Sequence, residues 1–360
     1  MNKKIFIILF ALFCAVLITP AEAKTWYVDD SGGADFTDIQ SAINSASSGD
    51  TIYVYAGTYG DFYVRIPNLS IIAENADVVT VVGGEIRLPG NGDATRTVLR
   101  GMNIRAKPYI GTFGPASDSL IRDCVFDGLP TLELISDHIT FENNIISNFT
   151  GSNALCIKKA NNSIIENNTI KNSKGSAIWF NSANTTVKNN HVESNGYGFY
   201  FRDAGEENKI YLNTITGNTQ ISKIKGTVPA VTYWNSTTPI KYTYNGQTYT
   251  SYMGNYYSDY TGTDANGDGI GDTPYVIPNG LGTDYYPLMQ PYENYFSEKS
   301  VLTSIEVTPA SADLTTSSIQ QFTAAAKDQY GNSISNISLN WSTSNESVGT
   351  INSTGFFTPL

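Results

Sequence analysis

The chain has 360 residues, a formal net charge of −11 and a pI near 4.7. That balance excludes a function built on gripping nucleic-acid phosphates, which needs a basic face. Only 15% of residues are charged, while Asn, Ser, Thr, Gly and Tyr are plentiful, so β structure with many turns is expected rather than long helices.

The N-terminus reads as an export signal. Lys3 and Lys4 form a positive start, Ile5 to Ile18 an unbroken apolar run, and Ala21-Glu22-Ala23 a small-x-small cleavage site. Cleavage is expected after Ala23. The apolar run is short for a membrane span, and no second one follows, so the expectation is an extracellular or cell-surface protein without a span after cleavage. Next, Phe36, Ile39 and Ile43 fall on one helical stripe, which predicts a short capping helix. Gly49-Asp50, the strand Thr51 to Val54 and the turn Gly57-Thr58-Tyr59 follow.

The middle of the chain repeats. Six-residue motifs begin at Leu99, Ile121, Phe141, Ile165, Val187 and Ile210, with steps of 22, 20, 24, 22 and 23 residues. The first column is apolar throughout, as is the sixth: Ile104, Phe126, Ile146, Ile170, Val192 and Ile215. The fourth ends in Asn144, Asn168, Asn190 and Asn213, and the second (Arg100, Arg122, Glu142, Glu166, Lys188, Tyr211) reads as solvent-facing. One such unit cannot bury its apolar face alone, but stacked units can. The prediction is an all-β, right-handed, single-stranded parallel β-helix over residues 24–220, with strands ~4.8 Å apart and stacked asparagines bonding from rung to rung. Ala177-Ile-Trp-Phe180 and Gly198-Phe-Tyr-Phe201 indicate more than one strand per rung. The opening segment resembles the start of pectate-lyase-like and pectinesterase-like β-helix proteins. The rung motif resembles the parallel β-helix repeats of the carbohydrate-binding and sugar-hydrolase class. Both resemblances speak to fold more than to activity, because this fold carries enzymes, adhesins and scaffolds alike.

Residues 221–300 change character: the repeat stops and tyrosines gather. Asp264, Asn266, Asp268 and Asp272 place oxygen side chains at positions one, three, five and nine of a tight loop, with Gly269 at six and the Ile270 carbonyl available at seven. That spacing is the front of a calcium loop of the EF-hand type, and a structural Ca²⁺ is expected there with Kd of roughly 10⁻⁴ to 10⁻³ M. Tyr275 stands where such a loop has a bidentate Glu, so Asp259 or Asp284 would have to complete the sphere. The run Gly254 to Tyr260, Asp272 to Ile277 and Asp284 to Leu288 resembles the tail of β-helix proteins related to the periplasmic copper-processing factor of nitrous oxide reductase. Many archaeal surface proteins share that tail. Copper does not carry over with the resemblance. Copper sites want clustered His, Met or Cys, and His138, His191, Met102, Met253, Met289, Cys124 and Cys156 are scattered. Cys124 and Cys156 are either a pair brought together by the fold or two small buried hydrophobes.

The last segment, 301–360, opens with Ser304 to Pro309 and continues through Gln320 to Ala324, Leu339 to Ser342, Gly349 to Ile351 and Gly355 to Thr358. It resembles a partial bacterial immunoglobulin-like domain of the second group, with Trp341 as its core tryptophan; a full sandwich takes ~100 residues. Asn-x-Ser/Thr sequons at Asn68, Asn148, Asn161, Asn167, Asn184, Asn235, Asn336, Asn340, Asn345 and Asn352 are consistent with a surface glycoprotein, or with chance in so Asn-rich a chain.

Two functions compete. One is a non-catalytic surface protein that binds polysaccharide or envelope glycan, or other surface proteins, in envelope or adhesion architecture. The other is a polysaccharide lyase or glycoside hydrolase. Enzymes of that kind need clustered acids, and the best stacked pair is Glu142 and Glu166, flanked by Arg122 and Lys188 in what also reads as a surface charge ladder. Asp123, Asp127, Arg202 and Asp203 form no recognisable set. Trp179, Tyr197, Tyr200 and Trp234 are candidates to stack on sugar rings, whereas Phe199 and Phe201 read as core.

Overall fold

A computed structural model of the chain describes residues 23–83, 85–88, 96–105, 107–110, 118–226, 231–296, 302–312, 314–315, 319–327, 341–345, 347–352 and 355–360. The expected export signal lies outside the described residues, save Ala23. The chain divides into two compact units, one running to Tyr292 and the other from Glu293 onward.

The first unit is a parallel β-solenoid with three sheets. The first sheet has ten strands, from Thr25–Val28 to Thr232–Tyr233, the second has nine and the third has seven. In each, the strand of one rung pairs in parallel with that of the next, so residues about twenty-two apart become neighbours. Leu99, Ile121, Phe141, Ile165, Val187 and Ile210 are register partners in succession and wholly buried. Ile104, Phe126, Ile146, Ile170, Val192 and Ile215 do the same in the second sheet. The third sheet contributes Leu134, Ile157, Phe180 and Phe201, with the Phe180 and Phe201 rings stacked 4.9 Å apart. Each such side chain contributes about 1.5–3 kcal/mol by leaving water. A slip of one residue would turn every one outward, so burial fixes the register.

The rung must bend sharply, and the paired asparagines show how. The first Asn of each Asn-Asn step adopts the left-handed conformation: φ is 56° at Asn143, 55° at Asn167 and 55° at Asn189. Asn tolerates this region better than most residues. The second Asn points inward and is buried. Asn168 Oδ1 accepts from the Asn144 backbone N–H (2.9 Å) and Nδ2 (3.0 Å), while Asn168 Nδ2 donates to the Phe141 carbonyl (2.9 Å). The same pattern links Asn168 to Asn190, Asn190 to Asn213 and Asn213 to Asn255. Two further corners use related devices: Asn172, Ser194 and Gly217 turn left-handed ahead of Ser173, Asn195 and Asn218, and Asn184 and Glu207 ahead of Thr185 and Asn208.

Both ends are covered. At the front, the helix Ile39–Ser45 starts at Asp38, whose carboxylate accepts the Ser41 N–H, and buries Ile39, Ala42 and Ile43. Asp50 ties the first strand down by accepting from Lys24 N, Ser47 N and Trp26 Nε1. At the back, residues 231–292 form a tyrosine-rich cap. Tyr256–Tyr257 adds to the second sheet beside Thr214 and Ile215. Trp234 packs edge-on against Phe199 and Phe201 and donates to the Leu281 carbonyl (2.7 Å). Tyr257 stacks on Tyr275 at 3.9 Å. The hairpin Ile240–Tyr244 and Gln247–Ser251 turns through Asn245-Gly246, both with positive φ, as a tight hairpin requires.

The second unit is antiparallel. Ser304–Thr308 pairs with Thr323–Lys327, and Phe356–Pro359 pairs with both Gln320–Gln321 and Gly349–Ile351. Trp341 is half-buried near Gly355, where an added Cβ would meet the indole. Leu339, Asn336 and Asn340 lie outside the described residues.

Two outcomes follow. Asn168→Ala leaves the buried Asn144 N–H and Phe141 carbonyl without partners, each worth about 1–3 kcal/mol. A total loss of roughly 2–5 kcal/mol is expected in urea unfolding, and a loss below about 1 kcal/mol would contradict the ladder's role. Asp284, fully buried in the back cap, accepts from Asn255 N (2.7 Å), Tyr286 N (3.0 Å) and the Tyr257 hydroxyl (3.2 Å). Burial nonetheless pushes its carboxyl up to about 7, against about 3.9 in an unfolded chain. The folded state therefore holds a proton that the unfolded state has already lost between these values. Its contribution to stability is complete below pH ~4 and is lost as pH rises through about 7. Asp284→Asn is expected to lack this slope; parallel stability curves for the two proteins between pH 4 and 7 would remove Asp284 as its source.

Candidate functional site

The outer face of the third sheet differs from the other two. On its longer strands, Asn153–Lys158, Ser176–Asn181, Tyr197–Arg202 and Gln220–Lys225, one residue in two turns inward to the core. The outward partners stack in columns. Glu133, Cys156, Trp179, Tyr200 and Lys223 are successive register neighbours. Beside them run Lys158 and Asn181, then Arg202 and Lys225. On the other side, Ser176, Tyr197 and Gln220 follow Asn153.

These columns line a groove made of two adjoining hollows of about 430 and 410 Å³ that share Ser152, Asn153, Tyr200 and Lys223. Trp179, Tyr197 and Tyr200 are half-exposed in it. The Lys223 ammonium lies 4.9 Å from the Tyr197 ring centre and 5.1 Å from that of Tyr200, within cation–π range. Gly151 and Gly175 shape the rim. A methyl group on either would run into the backbone carbonyl of Pro130 or Ser152 on the rung beneath, so only glycine permits so close a stack. Cys156 sits under the groove with its Sγ 3.3 Å from Thr131 Oγ1.

Of the aromatic residues singled out from sequence, Trp179, Tyr197 and Tyr200 come together here. Trp234 instead is buried in the back cap, and Phe199 and Phe201 are core. Lys158 and Lys223 were missed, and Arg202 had been placed only among acids and bases. The alternation within Ala177–Phe180 and Gly198–Phe201 was the available signal.

Glu142 and Glu166 lie elsewhere, on the first sheet, as register neighbours. Each is engaged by a cation: Arg122 Nη1 is 3.2 Å from Glu142, and Lys188 Nζ is 2.8 Å from Glu166. Arg100 and Arg122 both reach Asp123, at 2.9 and 3.0 Å.

The Asp/Gly loop closes on itself. Asp264 accepts from Asp268 N and Gly269 N, Asp268 from Ile270 N, and Asp272 from Ala265 N and Thr263 Oγ1. Asn266 Nδ2 donates to Asp268. Tyr242 and Tyr249 donate to the carbonyls of Asp268 and Gly267 and so fasten the loop to the hairpin. Ile270 is buried and bridges to Leu288.

A family model described as "Periplasmic copper-binding protein (NosD)" matches residues 43–262. This chain belongs to that family. The "Probable ABC transporter binding protein NosD" of Stutzerimonas stutzeri is 33% identical over 107 residues, which is 29% of this chain and 21% of that protein. The chain thus spans about a fifth of that relative's length. Among solved structures, the catalytic domain of a GH87 α-1,3-glucanase is 14% identical, with TM-score 0.33 over 57% of this chain and 46% of that one. The A-module of the Azotobacter vinelandii mannuronan C-5 epimerase AlgE6 is 14% identical, with TM-score 0.31 over 51% and 72%. At superpositions this poor, neither bears on the chemistry of this chain.

Membership of the NosD family makes this an exported β-helix protein. Among the described residues, no helix is long and apolar enough to cross a membrane. Membership also corrects the expectation of calcium at Asp264, Asn266, Asp268, Ile270 and Asp272: the family is described by copper. The loop's carboxylates are occupied by the backbone N–H groups just named, and no group of three or more His, Cys, Asp or Glu that could hold a metal occurs among the described residues. Those residues do not fit copper either. Met102 and Met253 are buried in separate places, and His138 lies exposed on a rung corner with φ 58°. Cys124 and Cys156 are unpaired. Burial pushes the Cys124 thiol up to about 12 and that of Cys156 up to about 11, so both stay protonated at neutral pH and are poor soft-metal ligands. The expected outcome is that neither thiol reacts with iodoacetamide in the folded protein and both do in urea, as read by peptide mass mapping; rapid labelling of Cys156 without denaturant would contradict its burial.

Proposed function

We propose that this exported β-helix protein is a non-catalytic binder that holds a glycan chain along the outer face of its third sheet, at the cell surface or in envelope architecture. The observation that carries this reading is the placement of Trp179 and Tyr200 as register partners on adjacent rungs, half-exposed in one groove. Flat aromatic rings offer apolar area to the C–H faces of sugars. Ser152 and Asn153 at the rim supply the hydrogen-bonding groups that orient a ligand in such a site. Rungs repeat every ~4.8 Å, close to the length of one sugar unit, so a polymer lying along the solenoid axis meets the columns in step. The name of the Stutzerimonas stutzeri relative adds a second class of partner, a transporter protein, with which the same exported scaffold is compatible.

The competing enzyme reading would put chemistry at Glu142 and Glu166, whose carboxylates are instead held in ion pairs. Affinity electrophoresis in polysaccharide-containing gels separates the two. Retardation without release of reducing ends is expected, and Trp179→Ala or Tyr200→Ala should weaken it by about tenfold with little change in thermal unfolding. Absence of retardation on every polysaccharide would overturn the binding reading. Reducing-end release that disappears in Glu142→Gln or Glu166→Gln would replace it with catalysis.

A further inference from the structure

We infer that the third-sheet groove selects an acidic polysaccharide, whose carboxylates are read by Lys158, Arg202 and Lys223 beside the Trp179–Tyr200 platform; this rests on the glycan reading above. The argument starts from charge. The protein carries a net charge of −11, yet the groove is lined with cations. How they are partnered matters more than their number. On the first sheet, Arg100, Arg122 and Lys188 sit 2.8–3.2 Å from carboxylates, so their charge is matched within the protein. In the groove the pairs are stretched. Lys158 Nζ is 4.0 Å from Glu133, and Arg202 Nε is 4.0 Å from Asp203, with the Lys158 and Arg202 side chains 48% and 52% exposed. Pairs that long and that exposed hold little energy, which leaves the cations free to meet an incoming anion. Lys223 faces the Tyr197 and Tyr200 rings at cation–π distance and is exposed.

Position supports the same conclusion. Trp179 and Tyr200 form one column, and Lys158 and Arg202 belong to the column two residues farther along each strand, on the same face. Asn181 lies between those two cations, and its amide donates to the Arg202 carbonyl (3.0 Å). A sugar ring stacked on the aromatic column therefore directs substituents on one edge toward the cations. A guanidinium grips a carboxylate through two parallel hydrogen bonds and an ammonium as a point charge. A neutral sugar would leave these cations without a matching group. A uronate chain carries one carboxylate per ring, so Lys158 and Arg202, two rungs apart with Asn181 between them, meet the carboxylates of alternate rings.

The test uses the full chain with polygalacturonate and its fully methyl-esterified form, which share a backbone and differ in charge. Isothermal titration at low salt should show the acid bound at least about tenfold more tightly than the ester, an advantage that shrinks at high salt. Arg202→Gln combined with Lys223→Gln should lower acid affinity until acid and ester bind alike. Trp179→Ala should weaken both polymers. These residues point outward, and unchanged thermal unfolding of each variant confirms that the fold is intact. Equal affinity for acid and ester would overturn acidic selectivity and leave the glycan groove standing. Acid binding that survives the double charge variant would overturn the assignment of these cations. Acid binding lost in the charge variant but indifferent to Trp179→Ala would reduce the site to unspecific polyanion attraction and overturn the proposal. Failure of folded protein to bind acid, ester or any neutral glucan would overturn the glycan reading together with it.

Discussion

The hydrogen-bonded column of Asn144, Asn168, Asn190, Asn213 and Asn255 is the constraint on which the rest of this structure depends. A parallel solenoid has to bend its chain into the core at every rung, and the bend buries backbone donors and acceptors that no strand can satisfy. Leaving them unpaired would cost about 1–3 kcal/mol each, a large share of what the stacked apolar side chains on that rung contribute. Asparagine solves both halves of the problem. The first of each pair accepts the left-handed backbone, and the second turns its carbonyl oxygen to the preceding rung while its amide donates to backbone carbonyls and to the Asn of the next rung. Because each Asn needs the rung above to complete its bonds, stability is shared along the solenoid rather than resident in any one coil.

That sharing makes the ends the weak points, and the chain spends specialised sequence on both. The front has a single capped helix turned onto the core by Ile39, Ala42 and Ile43. The back is more elaborate. Asn255 completes the ladder in place of a rung asparagine, although it is 42 residues from Asn213. Trp234 and Tyr257 cover the last apolar layer, and the Asp/Gly loop with its hairpin holds that cover closed. The loop that reads as a cation site from its spacing is thus a piece of the cap, its oxygens committed to its own backbone. Asp284 in the same cap accepts several N–H and O–H donors and still resists ionisation because its burial disfavours the charged form.

The groove is a consequence of the same architecture. Once the inner face of each strand is fixed by the core, the outer residues must stack in columns at one rung spacing. Any repeated choice of side chain then becomes a line along the axis. The first sheet uses this to match charges. The third uses it to set aromatic rings beside Lys158 and Arg202, whose nearest acids stand 4.0 Å away.

How much of this was legible in the sequence depended on the range of the interaction. The repeat, the inward columns of the first two sheets and the Asn ladder were readable, because identical needs recur at nearly constant spacing and the same residue types answer them. The front helix was readable from Ile39 and Ile43, since that stripe is local, whereas Phe36 stands ahead of the helix and bridges to Val28. The remaining corners were not, because Ser173, Thr185, Asn195 and Asn208 perform one task with different side chains. Trp234 looked like Trp179 in sequence; only the fold buried one and left the other half-exposed. The contrast between the close ion pairs of Lys188 and the stretched ones of Arg202 was equally invisible, since it turns on an ångström of side-chain geometry across rungs. By itself the sequence determined that the chain must stack and which face turns inward, because periodicity and hydrophobic burial are properties of the sequence. Only the tertiary structure decided which polar and aromatic residues share a surface, because residues more than twenty positions apart become neighbours only when the solenoid closes.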